Sequence, residues 1–195
     1  MISKLAKNIA HFFVIQKIIE ESKEIIYAYG LELLISDVLN TIIVLLIALL
    51  SHTLPAVIVF IAVFMGLRRF AGGYHANSHF SCMFTLVIVM LVFSYGICNI
   101  SEHTNICSIA FVASALPVIF CFAPVSHPNK PMSVEKGVSL KRKSRFLAVI
   151  LFLAVIVMLV FRYWKLSLYV SSGILLSAIA VLLGRFLNRG DNSKR

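Results

Sequence analysis

The sequence predicts an all-α, polytopic integral membrane protein, and three observations carry that prediction. Hydrophobic residues make up 60% of the 195 positions, charged residues only 13%, and the mean hydropathy is +0.96. A soluble domain carries roughly 45–50% apolar and about 25% charged residues, so this chain lacks the polar surface to coat a globule in water. The apolar residues fall in runs near the ~20 residues that an α-helix needs to cross a bilayer. The third observation is the placement of charge. A formal net charge of +10, from 18 Lys and Arg against 8 Asp and Glu, falls almost entirely outside those runs. It is expected to meet lipid headgroups rather than nucleic acid.

Residues 1–29 alternate apolar positions (Ile2, Leu5, Ile9, Phe12, Ile15, Ile19, Ile26) with Lys and Glu at roughly helical spacing, which predicts an amphipathic helix lying in the interface. No compact apolar core followed by a small-residue cleavage site opens the chain, so no cleavable signal peptide is expected. About six spans follow, at 31–50, 54–67, 83–100, 106–125, 146–161 and 166–187, with a tail at 188–195. The second is short, reaching only about 21 Å at 1.5 Å per residue, and is expected to tilt, thin the bilayer or end below the surface. With no repeat and no long polar linker, residues 1–195 are expected to form one membrane domain.

If the spans alternate, the connections at 51–53, 101–105 and 162–165 lie on the non-cytoplasmic side. Of the 18 basic residues only Arg162 and Lys165 fall there. The other sixteen face the cytoplasm, a strong positive-inside bias that predicts both termini inside. Tyr163 and Trp164 fit an outer aromatic belt. Cys82, Cys98, Cys107 and Cys121 are scattered without CxxC spacing, which excludes a disulfide mini-domain.

Chemical capacity concentrates in Arg68-Arg69-Phe70-Ala71-Gly72-Gly73-Tyr74-His75-Ala76-Asn77-Ser78-His79-Phe80-Ser81-Cys82. The glycines permit a tight turn, and Asn77 or Ser78 can cap a following helix with Cys82 in its first turn or just beyond. There the positive end of the helix dipole favours a thiolate. His75 could fold back over that turn by way of the Gly-Gly bend, supplying the imidazole that a cysteine acyl-transfer site needs. The spacing alone is equally that of a structural Cys beside a loop His. His79, one helical turn from Cys82, is an alternative base. His75 and His79 also have the i,i+4 spacing of a zinc pair, but the intervening Ala76-Asn77-Ser78 lacks the Glu of an H-E-x-x-H protease, which disfavours metal.

The run from Arg68 to His75, with Cys82 seven residues on, resembles the signature of the accessory gene regulator B (AgrB) family, integral-membrane cysteine endopeptidases that process quorum-sensing pro-peptides in Gram-positive bacteria. The likeness extends to Tyr29-Gly30-Leu31-Glu32, to Ala123-Pro124-Val125 and to Pro128-Asn129-Lys130-Pro131, and the length and hydropathy match along nearly the whole chain. The resemblance implies that His75 and Cys82 are the catalytic pair and that Glu32, Arg68 and Gly73 are needed for activity. No cofactor and no metal are expected; the resemblance implies an AgrD-type precursor peptide with an acidic C-terminal tail as the partner within membrane lipid, and points to a homodimer.

Two accounts of Glu32 stand side by side. It orients His75 or pairs with Arg68, or it is an interfacial carboxylate reaching for water; Asp37 is the second candidate for the orienting role. Arg68, Arg69, Lys141, Arg142 and Lys143 are candidates for attracting the acidic tail, although basic residues at cytoplasmic helix ends also serve orientation alone. The competing classes are a non-enzymatic transporter or assembly protein and a His75/His79 metalloprotease. The spans carry few ionisable residues beyond Glu32 and Asp37, which leaves little for an ion pathway.

Overall fold

The computed structural model describes residues 2–73, 79–100, 102–125 and 134–192, with the side chains of Asp37, His79, Phe80, Cys82, Val134, Lys136 and residues 187–192 outside that description. The described chain is helical: α1 (Ile2–Ile15), α2 (Glu24–Leu50), α3 (Leu54–Ala71), α4 (His79–Leu91), α5 (Thr104–Phe122), α6 (Val134–Val160) and α7 (Trp164–Asn192). Helices satisfy every backbone group within one segment, which is what a hydrocarbon solvent demands. Five are long and apolar enough to cross a membrane, and a shorter apolar helix, Met83–Asn99, is the sixth candidate.

Several boundaries differ from expectation for one physical reason. Hydropathy marks where the bilayer is, and a helix does not have to stop there. α3 continues through Arg68 and Arg69 to 18 residues, about 27 Å at the helical rise, so the second span is not a short helix. α6 begins at Val134, and Lys141, Arg142 and Lys143 lie exposed on its first half rather than in a loop. Lys and Arg are good helix formers, so a basic cluster extends a span instead of ending it. At the N-terminus the single interfacial helix expected over 1–29 is two elements. α1 ends at Ile15, Lys17 turns the chain with φ +56°, and α2 has already begun at Glu24. α1 lies against α2 with Ala6 and Ala10 buried, and His11 Nδ1 meets Glu24 Oε1 at 3.2 Å.

α7 is the centre of the bundle. Its apolar stretch is 61% buried, against 17–28% for the other four long apolar helices, and it packs on α3, α5 and α6. One core cluster gathers Leu67, Val112, Ile119, Val155, Val170, Ile174 and Val181 around it. A second joins α2, α3 and α4 through Val44, Ala48, Val57, Phe60, Met90 and Phe93. Phe60 and Phe93 stack at 4.1 Å between centroids, and Tyr169 of α7 meets Phe93 edge-on at 6.0 Å. α4 loosens after Leu91 into a π-helical turn, Val92–Gly96, and a 3₁₀ turn, Ile97–Asn99.

The connections at 51–53, around 103 and at 161–163 share one end of the bundle. There the Ser51 hydroxyl donates to Ile47 O (2.7 Å), lies 2.7 Å from Thr53 Oγ1, and Thr53 donates to Ser94 Oγ (3.1 Å). Ser108 and Ser167 bridge α5 to α7 at 3.1 Å. The Gly-Gly bend and the segment after α5 occupy the opposite end.

Candidate functional site

The bend after α3 is built from two family-like motifs that are distant in sequence. α3 ends at Ala71, the Gly72 N–H donates to Arg68 O (3.0 Å), and the chain turns through Gly72 (φ +68°) and Gly73 (φ +134°). The segment after α5 closes onto this turn. The Val125 N–H donates to Ala71 O (3.0 Å), and Gly72 and Val125 form an isolated parallel bridge. A Cβ at Gly72 would run into Val125 O, and one at Gly73 would sit 2.9 Å from Ala180 O of α7. Both positions therefore require glycine twice over, for the backbone angle and for the space.

Val125 reaches the bend because α5 stops at Phe122 and Ala123 turns extended before a cis Ala123–Pro124 bond. Pro124 has no N–H, so Phe120 O, four residues earlier, loses its helical donor. Arg145 of α6 replaces it. Its Nη2 donates to Phe120 O at 2.7 Å, and its guanidinium stands 5.6 Å from the Phe120 ring centroid. Arg185 of α7 covers the neighbouring Phe122 ring at 4.9 Å. The positive end of Arg145 also lies at a helix C-terminus, where a cation is favoured. Sequence reasoning counted Arg145 as one more basic residue of the 141–145 cluster. The signal that could have singled it out is Pro124, which announces an orphaned carbonyl one turn earlier.

The residues expected to carry chemistry divide into three groups. Tyr74, His75, Ala76, Asn77 and Ser78 lie outside the described residues, as does Pro128-Asn129-Lys130-Pro131. α4 is described from His79 onward, and the backbone of Cys82 stands in the first turn of that described part. Gly73 and Arg68 are brought together at the end of α3, whereas Glu32 is half-buried in the first part of α2, with Asp37 further along the same helix. Arg68 is half-buried and stands 5.4 Å from the Phe64 ring; Arg69 is exposed.

Beside the bend, α3, α4 and α7 enclose an apolar cavity of about 250 Å³. Phe60, Phe64 and Arg68 line it from α3, Leu86 and Val89 from α4, and Leu176 from α7. Arg68 is the charged residue of the lining. The Phe60–Phe93 stack lies at the other end of the α3 stripe, about 12 Å below Arg68 by helical rise. Cys98, Cys107 and Cys121 are free thiols in other parts of the bundle.

Comparison with known proteins adds an independent finding. The family model described as Accessory gene regulator B matches residues 1–183. An AgrB-like protein of Clostridium perfringens strain SM101 is 27% identical over 165 residues, covering 82% of this chain and 77% of the relative. A second AgrB-like protein, from strain 13 of that species, is 24% identical over 185 residues, or 92% and 86% of the two chains. Accessory gene regulator protein B of Staphylococcus lugdunensis is 22% identical over 182 residues, or 93% and 94%. No solved structure matches the chain.

Proposed function

This chain belongs to the accessory gene regulator B family, and on that premise we propose that it is a membrane-embedded cysteine endopeptidase that processes an AgrD-type precursor for quorum sensing. The family match carries the reading. The backbone position of Cys82 in the first turn of α4, behind a bend that three segments pin in place, supports it.

In this reading His75 takes the Cys82 thiol proton and the thiolate attacks the carbonyl at the junction of core and tail. The C–N bond breaks, the imidazolium returns its proton to the leaving amine, and the acidic tail departs, leaving a thioester. A core thiol or hydroxyl then attacks that thioester, closing a thiolactone or lactone ring and returning the proton to Cys82. Thioester exchange is close to thermoneutral, so ring closure competes with hydrolysis only where water is excluded, and a site at membrane depth supplies that exclusion. Arg68, with Arg69, Lys141, Arg142 and Lys143 further out, attracts the acidic tail. Glu32 supports the site by orienting His75 or holding Arg68. The end of the bundle bearing the bend, with both termini, faces the cytoplasm of a Gram-positive cell, because among the described residues the opposite end carries only Arg162 and Lys165 of the basic side chains.

The test is reconstitution of the purified chain with a precursor encoded beside its gene, comparing the parent with Cys82→Ala, His75→Ala and His79→Ala, each with and without chelator. Release of the tail is expected to vanish in Cys82→Ala and His75→Ala, to persist in His79→Ala and to ignore the chelator. Tail release by Cys82→Ala would sink the thiol mechanism.

A further inference from the structure

We infer that the cavity between α3, α4 and α7 is the subsite for one large apolar side chain of the peptide, carried by the residue whose carbonyl Cys82 attacks; the inference rests on the thiol-protease reading. Three observations on the cavity lead there. The first is register. Cys82 precedes Leu86 by four residues in α4, one helical turn and about 6 Å along the axis, so the reacting carbonyl stands one turn above the lining. A side chain attached one bond from that carbonyl has the reach to enter, whereas residues further along the peptide lie about 3.8 Å per step away.

The second is size. At about 250 Å³ the cavity falls below the roughly 300–1,000 Å³ of sites that hold a whole small molecule. It accommodates one bulky side chain and not a peptide segment. The Phe60–Phe93 stack marks its deep end, which favours a short occupant over a lipid tail that must run on towards the midplane. The third is charge. Its walls are apolar apart from Thr85 and Arg68, and Arg68, the one charged residue among them, is half-buried at the end nearest the bend, where peptide carbonyls and a downstream carboxylate would lie. A guanidinium there complements the polar backbone of the peptide while Phe60, Phe64, Leu86, Val89 and Leu176 receive the apolar group.

The experiment reads alkylation of Cys82 in the full-length chain in lipid nanodiscs. Two reagents carry the same warhead, acetyl-phenylalanyl and acetyl-glycyl chloromethyl ketone; the thiolate displaces chloride and the adduct is quantified by peptide mass spectrometry. The parent is expected to react roughly tenfold or more faster with the phenylalanyl reagent, the scale of burying one aromatic side chain. Membrane partitioning also favours that reagent, so the decisive quantity is the rate ratio across two cavity variants of opposite sign. Leu86→Trp, which fills the cavity, is expected to collapse the ratio towards that of partitioning alone. Leu86→Ala, which widens it, is expected to shift preference to a naphthylalanyl reagent, an outcome that misfolding does not produce. A ratio unchanged in both variants overturns the subsite and leaves the thiol reading standing, and it is also what a lipid-filled cavity would give. Absence of a Cys82 adduct with every reagent overturns the thiol reading itself.

Discussion

The two ends of the bundle solve the same problem, reversing a helical chain, with different residues. At the end holding the connections 51–53, 102–103 and 161–163, the left-handed positions are His52 (φ +54°), His103 (φ +58°) and Arg162 (φ +61°). At the other end, besides Lys17 in the α1–α2 turn (φ +56°), the second set among the described residues is glycine, Gly72 and Gly73. Side chains are tolerated in the first set because those turns only need the backbone angle. In the second set another backbone, Val125 or Ala180, occupies the space a Cβ would take. The comparison teaches that one end is closed by local turns and hydroxyl relays, while the other is assembled from three segments and keeps its shape only if all three stay in register. A site placed behind such a bend inherits its geometry from residues far away in sequence.

The largest effect that could break this contrast is at Gly73. Gly73→Ala puts a Cβ 2.9 Å from Ala180 O in a conformation L-residues rarely adopt, with an expected cost of about 2–4 kcal/mol from strain and overpacking. Accumulation in membranes should fall, and tail release should be lost in whatever protein survives. A Gly73→Ala protein that melts and processes like the parent would show that the bend is not held against α7. Gly72→Ala is expected to behave the same way, because its Cβ would displace Val125.

Next in size is Arg145. Arg145→Ala leaves the partly buried Phe120 O at the end of α5 with neither an N–H from Pro124 nor a guanidinium, at an expected cost of about 1–3 kcal/mol. Arg145→Lys restores a donor but not the planar stack on Phe120, so it should recover part of the loss. Thermal unfolding in detergent orders the three proteins, with the parent highest, Lys between and Ala lowest. Equal midpoints would mean that the carbonyl finds another donor and that the two ends are more alike than proposed.

These positions also mark where the sequence stops being legible. The apolar runs announced the spans because hydrophobicity is local and additive; Asn77 and Ser78, the caps expected ahead of Cys82, lie outside the described residues. The ends of α3 and α6 did not follow, since Arg68 and Lys141 lie outside the apolar window yet continue the helix. The closure of Val125 onto Ala71 joins residues more than fifty positions apart, and no periodicity within either segment encodes it. The missing N–H of Pro124 was legible as a vacancy, but that Arg145 fills it depends on how α6 docks against α5. His75 lies outside the described residues, so its relation to Cys82 stands where the family resemblance left it.

A smaller effect is expected from the hydroxyl relay at the closed end. Thr53→Val removes the donor to Ser94 and the partner of Ser51 while keeping the shape, at a cost of about 0.5–1.5 kcal/mol. Because no part of that relay touches the bend, α5's end or the cavity, tail release per folded molecule should match the parent. Loss of processing in a well-folded Thr53→Val protein would show that the two ends are coupled through α4, which carries Ser94 in its π-helical turn and Cys82 in its first turn.

The smallest effect separates angle from space. If the closed end needs only a left-handed backbone, Arg162→Gly should relieve a conformation that costs an L-residue about 1–2 kcal/mol and add back about 0.5–1 kcal/mol of chain entropy, leaving stability within about 1 kcal/mol of the parent. Gly73→Ala and Arg162→Gly are then the same exchange run in opposite directions at opposite ends. Their unfolding midpoints should differ in size as well as sign, because only one of the two sites has a neighbour pressed against it. A destabilisation by Arg162→Gly as large as that of Gly73→Ala would mean that the Arg162 side chain, beside Tyr163, Trp164 and Lys165, anchors that end in the headgroups. In that case the closed end is also held by something outside its own turn, and the contrast between the ends becomes one between lipid and protein as the neighbour.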